Sequence, residues 1–222
     1  MNIIATFLLG CFFFVALPIL GWGLMGARSF FENNVRTMFL GLVCILNAIA
    51  AIRIPEVGKK RAEQKTTVKR QHLAVILFQV LSISLVLVGP FCDHRSIATI
   101  GEGDVGRYVG LFFYVVGFLT MHYSEWYLGK HFSVEVGIQE EHKLVAVGPY
   151  RYLLHPRYAG IILFSFGIAL VFRSWIGLAL AAVTVAVVFW RIHDEEKLMR
   201  QEFGTEWEEF AAKRWRLIPF VF

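Results

Sequence analysis

Long apolar runs, broken at intervals by short polar stretches, limit what this chain can fold into more than any other feature. A helix crossing the hydrocarbon core of a bilayer needs about 20 apolar residues. Ile3–Met25, Met38–Ile54, Leu73–Cys92 and Tyr108–Leu128 meet or approach that length. Two shorter segments follow, Ile161–Phe172 and Trp175–Trp190, separated only by Arg173 and Ser174. They read as a tight helical hairpin, packed on the other helices or slightly thinning the bilayer. The expected fold is an all-α integral membrane protein with about six hydrophobic helical segments, four spans plus the hairpin. The first run has no basic stretch before it and no small-residue cleavage site after it, so it reads as a span rather than a signal peptide.

Orientation comes from lysine and arginine. The loop "PEVGKKRAEQKTTVKR", the stretch Gly129–Arg157 and the tail from Arg191 together hold sixteen of the 22 basic residues. The opposite loops hold five, Arg28, Arg36, Arg95, Arg107 and Arg173. This puts both termini and the basic loops in the cytoplasm. The net charge of +5 then serves orientation and attraction to anionic lipid headgroups. No basic domain stands apart from the membrane, so a nucleic-acid partner is not expected. Cys11, Cys44 and Cys92 have no metal-ligand spacing and read as small buried hydrophobes, and no metal is expected.

Polar residues are sparse in the first half. Asn47 and Gln79 read as bridges between helices. His122 and Glu125 share one helix face and either border a site or form a simple interfacial pair. In the second half polar and apolar residues interleave. "FSVEVGIQEEHKLVAVGPY" alternates over Ser133–Ile138 and Lys143–Val147, which suggests a small β-hairpin or an extended cytoplasmic loop. Gly148-Pro149 ends it. Pro156 suits the first turn of the next helix, which places His155 near the N-cap.

The tail "RIHDEEKLMRQEFGTEWEEFAAKRWRLIP" spaces Ile192, Met199, Phe203, Trp207 and Phe210 helically, as in an amphipathic helix at the interface. Glu195 falls on that apolar stripe, where a carboxylate is costly unless paired. Arg191, one turn earlier, is the nearest candidate partner. Glu202, Glu206, Glu208 and Glu209 fit a solvated face.

"EHKLVAVGPYRYLLHPRYAG", followed some thirty residues on by "RIHDEEKLMRQEFGTEWEEFAAKRWRLIP", resembles the isoprenylcysteine carboxyl methyltransferase family. Related patterns occur in phospholipid N-methyltransferases. The resemblance covers roughly Leu128 to Pro219. It implies a membrane enzyme that uses S-adenosylmethionine, with residues 1–128 as membrane helices and 129–222 as the cytoplasm-facing catalytic region. Carried over by position, it implies a cofactor site of His142, Lys143, Leu144, Val145, Tyr150, His155, Pro156, Arg157, Tyr158 and Glu195. Arg191 would face the acceptor, a lipophilic or prenylated molecule entering from the bilayer among the membrane lipids. Where the family usually has Arg before the His-Pro pair, this chain has Leu154. Arg151 or Arg157 would have to supply that charge.

The residue chemistry suits this assignment. A helix N-terminus at His155–Tyr158 can hold the cofactor carboxylate. Glu195 can pair with its ammonium, the Leu144–Val145 backbone can meet the adenine edge, and Tyr150 or Tyr158 can face the sulfonium. A carboxylate acceptor is already ionised at neutral pH and needs no general base. An amine or thiol acceptor needs one, and His142 and His155 are the first candidates. A nicotinamide-dependent membrane reductase and a non-catalytic scaffold are the competing readings.

Overall fold

The computed structural model describes residues 3–53, 64–67, 71–129, 137–139 and 144–220. Its helices are α1 (Ile3–Cys11), a π-helical turn Phe12–Ala16, α2 (Leu17–Trp22), α3 (Ala27–Phe30), α4 (Asn34–Arg53), α5 (Gln71–Arg95), α6 (Val105–Leu128), α7 (Pro156–Val171), α8 (Trp175–Phe203) and α9 (Thr205–Ala212). Asn34–Ile52, His72–Arg95, Val105–Leu128 and Trp175–Phe203 are long and apolar enough to cross a membrane. The chain is a multi-pass integral membrane protein.

Two segments differ from the sequence expectation. The first span does not run straight through to Met25. Gly23, at φ +108° in the left-handed region, ends α2, and the chain bends by 91° into Leu24–Phe30. The second arm of the hairpin does not stop at Trp190. Ser174 caps α8 by accepting from the Gly177 N–H at 2.9 Å, and after that first turn no glycine or proline occurs until Gly204. The membrane arm and the first part of the polar tail, as far as Phe203, are therefore one helix of 29 residues. The tail's apolar stripe is buried by the chain itself. Met199 and Trp207 pack with Leu154 and Leu198, and Ile192 packs with Tyr158, Val188 and Leu217.

The expected β-hairpin is also different. Gly137–Gln139 pairs antiparallel with Gln64–Thr67, in the upstream basic loop. Leu144–Val147 lies outside any strand, and the remainder of that region falls outside the described residues.

α6 and α7 pack closely because glycines face each other across them. A Cβ on Gly117 would lie 2.7 Å from Gly160 O, and one on Gly167 would lie 2.8 Å from Gly110 O. Only backbone without side chains permits that approach, the usual device where lipid supplies no hydrophobic drive between helices. Phe30, Phe39, Tyr114, Phe118, Phe164 and Phe172 fill the bundle beside this contact.

At the end of the bundle formed by the start of α4 and α6 and the end of α5 and α7, Asp93 is buried among arginines. It accepts from Arg107 at 2.7 Å on each oxygen and lies 3.4 Å from Arg36 and 3.5 Å from Arg173. Arg107 also donates to Val171 O, and Arg36 to Phe30 O and Ser29 O. Three of the five arginines that the sequence reading counted only as orientation signals are thus structural. The other end of the bundle carries the site.

Candidate active site

The start of α7 gathers the polar residues. Pro156 occupies the first helical position and His155 is the N-cap, as their sequence implies. From there three neighbouring side chains reach three different carboxylates. His155 Nε2 lies 3.3 Å from Glu196 Oε1 on α8. Arg157 Nε donates to Glu125 Oε1 on α6 at 2.8 Å. The Tyr158 hydroxyl donates to Glu195 Oε2 on α8 at 2.8 Å. One turn of helix thereby ties α6, α7 and α8 together at one end of the bundle.

Arg191, only 3% exposed, completes the third contact by donating from Nε to the Tyr158 oxygen at 2.8 Å. The Tyr158 hydroxyl therefore bridges Arg191 and Glu195. The expected direct partnership of those two residues is mediated by a tyrosine that sequence spacing gave no reason to place between them. The Arg191 guanidinium also lies 5.9 Å above the rings of Tyr158 and of Phe78, from α5.

Tyr150 is buried in the 3-10 turn Gly148–Arg151. Burial, and then the nearby Glu195 carboxylate, raise its phenol above the ordinary value, so it remains a neutral hydroxyl. Leu144 and Val145 are half-buried, with Leu144 packed against the cluster of Leu154, Leu198 and Trp207. His142 and Lys143 lie outside the described residues.

Two participants, Glu196 and Arg216, were not assigned from sequence, and a third, Glu125, was given only as bordering a site or forming a simple pair. Glu125 accepts from Arg157 and also lies 2.9 Å from His122 Nδ1, so the His122–Glu125 pair borders the α7 cluster. Glu196 faces His155 and receives Arg216 Nε at 2.9 Å. Arg216 belongs to a C-terminal strap: Leu154 N donates to Trp215 O, His155 N to Arg216 O and Trp215 N to Tyr152 O. A glutamate beside Glu195 and an arginine at the far end of the tail carry no spacing signal that pairs them. Both His122 and His155 sit against a carboxylate.

Leu154, where the family's usual arginine is absent, is buried among Leu198, Met199 and Trp207. Neither candidate replacement takes its place. Arg157 is held by Glu125, and Arg151 is exposed beside the ring of Tyr152.

Comparison with known proteins places the chain in a family. Residues 105–206 match the family model for phospholipid methyltransferase. A probable protein-S-isoprenylcysteine O-methyltransferase of Oryza sativa is 30% identical over 149 residues, covering 64% of this chain and 76% of the relative. Protein-S-isoprenylcysteine O-methyltransferases A and B of Arabidopsis thaliana are 31% and 32% identical, covering 58% and 49% of their own lengths. The fold and the matches define a membrane-embedded methyltransferase. Within that class, the chain belongs to the isoprenylcysteine carboxyl methyltransferase family. This decides against the reductase and scaffold readings.

Proposed function

We propose that the protein uses S-adenosylmethionine to methylate the carboxylate of an isoprenylcysteine-like acceptor that enters from the bilayer. The observation that carries this reading is the Tyr158 hydroxyl held between Arg191 and Glu195. It sets one cationic and one anionic group side by side on adjacent turns of α8, beside buried aromatic rings.

The residues fit the cofactor. Glu195 is half-buried and can take an ammonium, and the buried Tyr150 and Tyr158 offer aromatic faces to a sulfonium. Leu144 and Val145 offer backbone groups for a purine edge. When bound, S-adenosylmethionine supplies a methyl group already activated for displacement by its sulfonium.

The chain's own work is then positioning. Arg191 holds the acceptor carboxylate by a two-pronged contact, and Tyr158 keeps Arg191 and Glu195 in register. Held there, an acceptor carboxylate oxygen would be aligned with the methyl group that a bound S-adenosylmethionine would supply, with the thioether as the leaving group. No proton moves, because the carboxylate is ionised at neutral pH. The apolar surroundings of α5, α7 and α8 exclude water.

A second reading, methylation of a phospholipid amine, is supported by the His122–Glu125 and His155–Glu196 pairs, since an amine must lose a proton and a histidine oriented by a carboxylate can accept it. The test is incubation of the purified protein with methyl-labelled cofactor and either a farnesylcysteine analogue or phosphatidylethanolamine, followed by mass spectrometry. A base-labile methyl ester on the farnesylcysteine analogue is the expected product. Label found only as stable N-methyl on the phospholipid supports the second reading, and label on neither acceptor overturns both.

A further inference from the structure

A pocket borders the His155–Glu196–Arg216 contact, with Leu154 in its lining, and neither Tyr158 nor Glu195 lines it. It has a volume of about 520 Å³ and is walled by Arg200, Trp207, Glu208, Arg214, Trp215 and Arg216. The end of α8, one face of α9 and the C-terminal strap form it together with Leu154. We propose that this pocket binds the phosphate of an anionic phospholipid headgroup.

Three observations carry the assignment. The first is charge. Arg200, Arg214 and Arg216 converge on one cavity. Glu196 receives Arg216 at 2.9 Å and lies 3.6 Å from Arg200, which fixes both guanidiniums at the wall rather than leaving them to wander in solvent. With Glu196 and Glu208 counted against them, the three arginines still leave the wall net positive. Planar guanidiniums suit phosphate oxygens.

The second is an unmet donor. Trp207 is 5% exposed and its indole Nε1 has no hydrogen-bond partner among the described residues. A buried N–H without an acceptor is costly. Trp207 lines the pocket, where a small rotation of the indole would present this N–H to a bound anion.

The third is depth. Trp175, exposed at the far end of α8, marks one membrane boundary, where tryptophan concentrates. From Trp175 to Arg200 the helix rises about 37 Å at 1.5 Å per residue. The hydrocarbon core is about 30 Å thick, and 40–45 Å with headgroups. Arg200 therefore falls within the opposite headgroup layer, at the depth of lipid phosphate. A cavity of this size exceeds a bare phosphate ion and has room for a headgroup.

The test is isothermal titration of the full chain in neutral detergent with short-chain phosphatidic acid, short-chain phosphatidylcholine, inorganic phosphate and S-adenosylhomocysteine. Phosphatidic acid should bind at least about tenfold more tightly than phosphatidylcholine or inorganic phosphate, and more weakly as salt rises. Arg200 is exposed, so Arg200→Ala should keep the fold; it should weaken phosphatidic acid about tenfold, the step expected for one charge-assisted contact. Trp207→Phe, which removes the indole N–H and keeps an aromatic ring, should do the same. S-adenosylhomocysteine affinity should be unchanged in both. The proposal is overturned if phosphatidic acid binds no better than phosphatidylcholine or if Arg200→Ala binds it as wild type does. Equal affinity for inorganic phosphate makes free phosphate the ligand and overturns the lipid assignment. Displacement of phosphatidic acid by S-adenosylhomocysteine makes the pocket part of the cofactor site and overturns it also.

Discussion

The Tyr158 hydroxyl donates to Glu195 Oε2 at 2.8 Å while its oxygen accepts from Arg191 Nε at the same distance. One atom thus joins the α7 N-terminus to two successive turns of α8. Glu195 and Arg191 lie one turn apart on the same helix, but it is a residue from the neighbouring helix that sets how they face each other. Tyr158→Phe keeps the ring and removes both contacts. It should weaken S-adenosylhomocysteine by roughly 1–2 kcal/mol and reduce turnover further, because Arg191 loses its orientation as well. Titration calorimetry and a methyl-transfer assay on the same preparation measure the two effects separately. Unchanged turnover would show that the hydroxyl serves packing alone.

Arg191 and Glu195 should divide the work. Glu195→Gln should weaken cofactor binding by roughly 1.5–3 kcal/mol, the loss of one charge-assisted bond. Arg191→Ala should leave that affinity nearly intact and abolish turnover, since Tyr158 still reaches Glu195 but nothing grips the acceptor. Arg191→Lys should rescue poorly, because an ammonium does not reproduce a forked contact to a carboxylate. If the residues serve stability only, both single variants melt early, and Arg191→Ala/Glu195→Ala recovers with cofactor affinity unchanged. Affinity, turnover and melting temperature for the four variants decide between these outcomes.

Much of this was legible in the sequence for simple physical reasons. Apolar length announces a span, proline at the first helical position announces a helix start, and a carboxylate on an apolar stripe announces a partner. The α7 start and Glu195 were visible on those grounds. What was not visible depends on contacts between distant segments. Glu196 sits next to Glu195, yet the two face different partners, Arg216 and Tyr158, because successive helical residues point about 100° apart. Glu125 meets Arg157 only because glycines let α6 and α7 approach backbone to backbone. The end of α8 was misplaced because hydropathy falls at Arg191 while helix propensity does not, and only Gly204 stops the helix.

The α6–α7 contact makes its own prediction. A methyl group on Gly117 would collide with Phe164 N and lie 2.7 Å from Gly160 O, both backbone that has nowhere to go. Gly117→Ala should therefore push the helices apart. The Arg157–Glu125 bond should lengthen, and melting temperature and turnover should fall together. Gly41 on α4, with nothing within 4 Å of its added Cβ, is the control: Gly41→Ala should melt as wild type does. Equal melting of the two variants would remove the close approach as the cause.

Asp93 offers the sharpest separation of stability from activity. Its carboxylate is 1% exposed and faces three arginines, Arg107 in a two-pronged bond and Arg36 and Arg173 beyond it. These come from the starts of α4 and α6 and from the turn between α7 and α8, so one carboxylate holds four segments at the end of the bundle remote from Tyr158. Removing one partner of a buried ion pair costs about 3–5 kcal/mol, since the other charge is left without compensation. Here three guanidiniums would be left facing each other, so Asp93→Ala should be the most destabilising of the changes considered. Asp93→Asn should destabilise less, because an amide oxygen can still accept from Arg107. Asp93→Glu tests geometry at constant charge and should lose stability through the extra methylene rather than through repulsion. None of the three touches the α7 cluster, so cofactor affinity per folded molecule should remain as in wild type. Thermal unfolding in detergent, combined with calorimetry on the folded fraction, measures both quantities. A variant of Asp93 that melts normally but loses cofactor affinity would mean that the two ends of the bundle are coupled, and the lock would then be part of the enzyme's working parts rather than of its frame.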